Sequence, residues 1–323
     1  MSPYRAPAWL PGGHAQTIYP ALAVPRPPVR YRRERWDTPD GDFIDLDWLE
    51  TEVQGSKFKV QGEAPLVVLF HGLEGSSRSH YALALMSEVG KAGWRGCVAH
   101  FRGCGGEPNR MPRAYHSGDS DEADWILRRL RQRNATLYAA GVSLGGNVLL
   151  KWLGERGESA RDTLDRAAAV SAPVDLSAAG AALEHGFSLV YARHFLRSLK
   201  RKALDKLSRH PGLYDAARVR AACTLRDFDD VVTAPLHGFR DAADYWARAS
   251  AKPLLPRIAV PTLIVNARND PFLPAHVLPR AQDAAEAVEL EFPENGGHAG
   301  FVNGGFPGRL DWLPRRILEF FRA

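Results

Sequence analysis

Short apolar runs alternate with helical stretches along most of this chain, and that alternation constrains its fold more than any other feature. Residues 65–70 (PLVVLF) form a continuous apolar run of the kind a strand buried on both faces requires. The pattern then predicts a helix over 79–92, a strand over 95–101 and a helix over 119–132. A strand over 136–140 leads through a tight turn into a helix ending at Leu153, and 167–170 reads as another short strand. From 174 to 252 the alternation gives way to helical pieces such as SLVYARHFLRSLKRKALDKL and GFRDAADYWARAS. It resumes with VPTLIVNA, a helix after Pro274, the strand AVELEF and a last helix over 310–321. Strands separated by helices imply an α/β fold: a mostly parallel central sheet with helices on both faces.

The predicted core is therefore 31–173 and 253–323, and the stretch 174–252 is expected to be a helical cap insertion over an active site. RYRRERWDT and DFIDLDWLE flank Pro39-Asp40-Gly41 and read as a β-hairpin with one buried face. Residues 1–30, rich in proline and aromatics, are expected to form an ordered arm wrapped on the core rather than a helix. With 323 residues, 45% of them hydrophobic, the chain has enough apolar surface for one large core.

The 24% charged content is ordinary, and the net charge of +5 comes from scattered arginines without a dense basic stripe, which argues against nucleic-acid binding. Cys97, Cys104 and Cys223 give neither a disulfide framework nor a C-x-x-C pair, so a reducing, cytoplasmic setting is expected. MSPYRAPAWLPGG lacks the apolar segment of a secretory signal, and no apolar run approaches the roughly 20 residues of a membrane span.

The turn after the strand at 136–140 is Gly141-Val142-Ser143-Leu144-Gly145, a G-x-S-x-G pattern. A plain strand–turn–helix would also use glycines for room, so the pattern counts only with its partners. In a nucleophile elbow the strained turn lifts the serine hydroxyl above the sheet. A serine hydroxyl is a weak nucleophile and needs a base, and that base needs an orienting acid. The expected chain order is Ser, then Asp, then His. Asp270 follows the strand VPTLIVNA and His298 follows AVELEF, both at the carboxyl ends of predicted strands, where Ser143 also lies. Each alone is an ordinary turn residue; the three in order at strand ends are not. Asp175, after the strand at 167–170, is the rival acid and ranks below Asp270. The oxyanion hole is expected from the backbone N–H groups of Leu144 and of Leu73, in the loop His71-Gly72-Leu73-Glu74-Gly75-Ser76-Ser77.

These pieces resemble the α/β-hydrolase superfamily, and within it the YheT-type subfamily of esterases and lipases. The narrow marks are WLPGGHAQTI (9–18) and FRGCGG (101–106); HGLEGSS, YHSG (115–118), the Ser143 turn, 266–272 and 296–301 match as well. The resemblance implies an α/β-hydrolase fold, with Ser143 as nucleophile, Asp270 as acid and His298 as base. It also implies hydrolysis of esters or lipids. Asn269 departs from the pattern, since relatives often carry a second Asp there.

The sequence reading is thus a serine hydrolase that cleaves carboxylic esters of short to medium acyl chains through an acyl-enzyme. A thioesterase, phospholipase or acyltransferase would use the same triad, and a non-catalytic binding protein on this scaffold ranks lower. The partner is a small-molecule or lipid ester. Neither metal-ligand spacing nor a cofactor fingerprint is found, so no cofactor and no metal are expected.

Other features have plainer readings. His116 to Asp121 fits H-x-x-x-x-D, but Asp119 with Glu122 reads better as a helix N-cap with an acidic third residue. His14 and Gln16 are expected to tie the arm down, Arg102 to form a structural ion pair, and His100 to be a core or loop residue. In HFLRSLKRKALDKL, Phe195, Leu199, Leu204 and Leu207 are read as one apolar face, which leaves peripheral membrane contact open.

Overall fold

The computed structural model describes residues 2–50 and 64–323. Helix α1 (Gly13–Leu22) precedes the hairpin β1 (Tyr31–Asp37) and β2 (Phe43–Leu49). Then come β3 (Leu66–Phe70), α2 (His80–Lys91), β4 (Arg95–Ala99), α3 (Ser120–Arg131), β5 (Leu137–Val142), α4 (Leu144–Arg156) and β6 (Arg166–Val170). Helices α5 (Leu176–Leu183), α6 (Leu189–Arg209), α7 (Ala216–Ala221), α8 (Leu225–Phe228), α9 (Ala234–Leu236) and α10 (Ala242–Ala249) fill the stretch before β7 (Thr262–Val265). β8 (Val288–Glu291) and α11 (Trp312–Arg322) end the chain.

The eight strands form one sheet in the order β1-β2-β4-β3-β5-β6-β7-β8. The six strands from β4 to β8 run parallel, and the hairpin adds an antiparallel edge. The period-2 alternation of strands explains the two cores. Val67, Leu69, Ala140, Val142, Val170 and Val265 face α2 and α11, where Leu85, Met86, Ile317 and Phe321 meet them. Leu66, Val68, Phe70, Ala139 and Ala169 face α3 and α4, against Ile126, Leu127, Val148 and Trp152. This is the mostly parallel sheet with helices on both faces that the alternation implies.

Several expectations need correction. The arm is not wholly irregular: residues 13–22 form α1. Its segment between Pro11 and Pro20 is long enough for two turns, Pro20 falls in the last turn, and the helix is held by burial of Gln16, Thr17 and Pro20. No α-helix forms between Pro274 and β8; only one-turn 3₁₀ pieces form at Ala275–Val277 and Ala281–Asp283, with Pro279 between them. The hairpin does not bury a single face of β2, which is buried from Phe43 through Asp47. Asp45 and Asp47 go inside because Arg35 and Arg33 grip them in bidentate pairs and His100 Nε2 lies 2.9 Å from Asp47. Asp119 does stand at the N-cap of α3, but its carboxylate pairs with Arg113 instead of capping, while Glu122 accepts from Arg102 at 2.6 Å.

On α6, Leu199 and Leu204 pack against one apolar cluster with Leu196 and Ala203, and Phe195, Leu199 and Ala203 line a cavity. No described helix is long and apolar enough to cross a membrane.

Candidate active site

Ser143 stands alone between the last residue of β5 and the first of α4, with φ 53° and ψ −122°. A non-glycine residue in this region costs about 1–3 kcal/mol and persists only where its surroundings dictate it. Here they do. Ser143 N–H donates to the Val170 carbonyl at 2.8 Å, across to β6. A Cβ on Gly141 would lie 2.7 Å from Gly146 Cα, and one on Gly145 would lie 2.6 Å from the His71 carbonyl oxygen. The two glycines of the motif are thus demanded by packing of α4 against β5 and β3.

The turn carries Ser143 Oγ to 2.9 Å from His298 Nε2. His298 Nδ1 lies 2.9 Å from Asp270 Oδ2 and 3.2 Å from Oδ1. The Asp270 carboxylate is fully buried and also accepts the Phe272 N–H at 2.8 Å. The Phe272 ring stacks on the imidazole, centroids 4.0 Å apart and planes 20° apart. The three residues singled out from the sequence are therefore brought into one hydrogen-bonded line. Asp175 is not: it caps α5 by accepting the Ala178 N–H at 3.1 Å.

The loop after β3 passes directly over Ser143, close enough that a Cβ on Gly72 would sit 3.2 Å from Ser143 Cβ. Within it, Gly72 N–H donates to Tyr81 OH (2.8 Å), Glu74 N–H to Tyr115 OH (2.9 Å) and Gly75 N–H to the Gly72 carbonyl (2.9 Å). Leu73 N–H has no such partner among the described residues, and Leu73 and Leu144 both line the cavity beside Ser143 and His298.

Sequence reading missed what fixes this loop. Glu74, at φ 56°, accepts from Tyr115 OH and Lys202 Nζ, each at 2.8 Å, and from Ser198. Lys202 and Ser198 belong to α6, so that helix is bonded to the loop over Ser143. A lone glutamate among glycines was the available signal.

The arm also does more than cover the core. Gln16 Oε1 accepts the Gly296 N–H (2.8 Å) and Asn269 Nδ2 (2.9 Å), while its Nε2 donates to the Leu10 carbonyl (2.8 Å). Thr17 Oγ1 accepts the His298 N–H at 2.9 Å. Asn269 Oδ1 accepts the Gly297 N–H at 3.0 Å, so its amide joins the acid loop, the base loop and α1. Its donor end is one that an ionised Asp would lack. His14 Nδ1 lies 3.1 Å from Tyr191 OH on α6. Replacing the Thr17 hydroxyl should loosen the imidazole. Thr17→Val is expected to lower kcat about 10- to 100-fold with KM within about twofold, and Thr17→Ser to stay near wild type. Steady-state kinetics on the three proteins checks this, and a Thr17→Val enzyme of unchanged kcat would refute it.

Arg102 donates to Asp40, Asp42 and Glu122, and His100 is buried on Asp47, both structural as expected. The three cysteines are free thiols; burial pushes Cys104 up to about 11 and raises Cys97 further.

Above Ser143 lies a cavity of about 480 Å³, walled by β-strand loops below and by α5, α6, α8 and the residues around α9 and α10 above. Its size falls within the ~300–1,000 Å³ typical of small-molecule sites.

This fold is that of an α/β hydrolase. Residues 65–305 match the family model described as the alpha/beta hydrolase fold, and the chain belongs to that family. It is 43% identical to "Putative esterase YheT" of Escherichia coli (strain K12), over 95% of this chain and 89% of that protein. It is 29% identical to human "Phospholipase ABHD3", over 99% of this chain and 78% of that protein. Among solved structures, the Pyrococcus furiosus esterase Pf2001 superposes with a TM-score of 0.55, covering 91% of this chain and 92% of that one, at 15% identity. At that identity the likeness speaks for the fold.

Proposed function

We propose that this protein hydrolyses carboxylic esters through a covalent acyl-enzyme on Ser143. The observation that carries the reading is the line Ser143 Oγ, His298 Nε2, His298 Nδ1, Asp270 Oδ2, with both links at 2.9 Å, opening into an apolar-walled cavity. His298 takes the Ser143 proton as Oγ attacks the ester carbonyl carbon. The Leu73 and Leu144 N–H groups meet the negative charge that develops on the carbonyl oxygen. His298 then gives its proton to the departing alcohol oxygen, the C–O bond breaks, and the acyl group stays on Ser143. A water molecule, deprotonated by His298, attacks the acyl carbon and releases the acid. Asp270 holds the imidazole with its proton on Nδ1 and stabilises the imidazolium.

Residues 174–252 act as the cap, and Leu176, Leu183, Phe195, Leu199 and Phe272 receive an acyl chain of short to medium length. The names of the similar proteins, an esterase and a phospholipase, support ester hydrolysis. The test is a p-nitrophenyl ester series of increasing acyl length, with fluorophosphonate labelling on the same preparation. Hydrolysis peaking below long-chain esters, together with labelling, is expected. A folded protein that shows neither hydrolysis nor labelling would overturn the proposal.

A further inference from the structure

The loop over Ser143 is held from two sides, and the two sides belong to different parts of the fold. On the core side, the Phe101 N–H donates to His71 Nε2 at 3.2 Å, so the ring carries its proton on Nδ1, which donates to the Gly72 carbonyl at 2.8 Å. Gly75 N–H reaches the same carbonyl at 2.9 Å. Burial lowers His71 to about 3, so the ring stays neutral at physiological pH. The Gly72–Leu73 peptide is trans, and its carbonyl and N–H point in opposite directions. Two donors on the Gly72 oxygen therefore also set the direction of the Leu73 N–H, the group left without a partner among the described residues.

On the other side of that peptide stands Glu74. Its φ of 56° is one that a residue with a side chain keeps only where its surroundings hold it. Its N–H donates to Tyr115 OH (2.9 Å), and its Oε1 accepts from that same hydroxyl and from Lys202 Nζ, each at 2.8 Å, while Oε2 accepts from Ser198. Tyr115 in turn stacks on Phe101, centroids 5.2 Å apart and planes 11° apart. Ser198 and Lys202 come from α6, one turn apart, and Phe195 and Leu199 share their side of that helix at the i, i+3, i+4, i+7 spacing. Phe195, Leu199 and Lys202 all line the cavity. One stripe of α6 thus carries both the wall assigned above to the acyl chain and the clamp on Glu74. The Glu74 side chain is only 9% exposed, so Lys202 also balances a buried negative charge one residue from the Leu73 N–H.

We infer that Glu74 and Lys202 are positioning residues for ester hydrolysis at Ser143: α6, through Ser198 and Lys202, fixes Glu74 and with it the Leu73 N–H, so that α6 must be seated for the oxyanion site to be complete. This rests on the proposed roles of Ser143 as nucleophile and Leu73 as oxyanion donor. Neither positioning residue touches the reacting atoms. A clamp of this kind acts on the transition state, where the carbonyl oxygen is charged, far more than on the bound ester, where it is not. A clamp that only shaped the acyl wall would act on binding instead, and more on long acyl chains than on short ones.

The experiment measures kcat, KM and melting temperature for wild type, Glu74→Ala, Glu74→Gln and Lys202→Met on p-nitrophenyl acetate and p-nitrophenyl octanoate. Glu74→Ala is expected to lose about 10- to 100-fold in kcat, because the Leu73 N–H is displaced and not deleted. The loss should be the same on acetate and octanoate to within about threefold, with KM little changed. Lys202→Met should fall in the same direction, and Glu74→Gln, which keeps an oxygen for Tyr115 and Lys202, should stay within about fivefold of wild type. Affinity for a short trifluoromethyl ketone, whose adduct on Ser143 carries a negative oxygen, should fall by the same factor as kcat/KM. A folded Glu74→Ala whose kcat stays within about threefold of wild type, or a loss confined to octanoate and to KM, would overturn the inference. If Glu74→Ala does not fold, Lys202→Met is judged by the same two criteria. Failure of the underlying reading looks different: wild type itself cleaves no ester and fluorophosphonate does not label it.

Discussion

Ser143→Ala is expected to reduce ester turnover by about 10⁵- to 10⁶-fold while leaving the protein folded. The size follows from the unit that the three side chains form. Without Oγ there is no acyl-enzyme, and His298 and Asp270 have nothing to activate except water. The fold survives because the backbone at 143 is set by others: the N–H bond to Val170, and the contacts of Gly141 and Gly145 with α4 and β3. Alanine keeps the same strained φ of 53° and loses only the bond to His298. Its melting temperature should therefore stay within a few degrees of wild type, as expected for a change of about 1 kcal/mol or less. Ser143→Gly gives a sharper test. Glycine accepts positive φ freely, so this variant should be equally inactive yet more stable than Ser143→Ala by about 1 kcal/mol. Thermal denaturation of the two variants and residual kcat/KM check both halves. Retained ester hydrolysis by either would remove Ser143 from the mechanism.

The glycine spacing around Ser143 was legible because it reports a local requirement: a strand, a positive-φ residue and a helix packed within contact distance. The strand-to-helix rhythm was legible for the same reason, since periods of 2 and 3.6 are written into neighbouring residues. What escaped was held by distant partners. The α1 helix has a proline in it and polar residues on its inner side, and it exists because Gln16 and Thr17 bond to distant loops around Asn269, Gly296 and His298, 253 to 281 residues later. Asp45 and Asp47 alternate like surface residues, yet Arg33, Arg35 and His100 carry them inside. The Glu74 bonds to α6 join an early loop to a late helix, and no short window contains both. Asp119 was placed at a helix start correctly by its neighbours, but Arg113 outcompeted the helix N–H groups for its carboxylate.

Two aspartates compete for the role of acid, and substituting each separates them by a wide margin. Asp270→Asn should lower kcat by about 10⁴-fold, because the amide no longer fixes the imidazole with its proton on Nδ1 and no longer balances the imidazolium. The carboxylate is fully buried between His298 Nδ1 and the Phe272 N–H, so water cannot take its place. An asparagine side-chain oxygen can still accept the Phe272 N–H, so the loop that carries Phe272 against His298 has reason to keep its shape. The loss should then fall on kcat, with KM changing far less. Asp175→Ala should do the opposite. Its carboxylate caps α5 through the Ala178 N–H, and removing a cap costs about 0.5–2 kcal/mol of stability. Because α5 contributes Leu176 and Leu183 to the apolar wall, any kinetic effect of that loss should appear in KM for longer acyl chains. Measuring kcat, KM and melting temperature for both variants yields a crossed pattern: an inactive, stable Asp270→Asn and an active, less stable Asp175→Ala. A kcat collapse at Asp175 with activity retained at Asp270 would transfer the acid to the strand after Ser143 and leave the 2.9 Å contact of Asp270 with His298 as a structural bond.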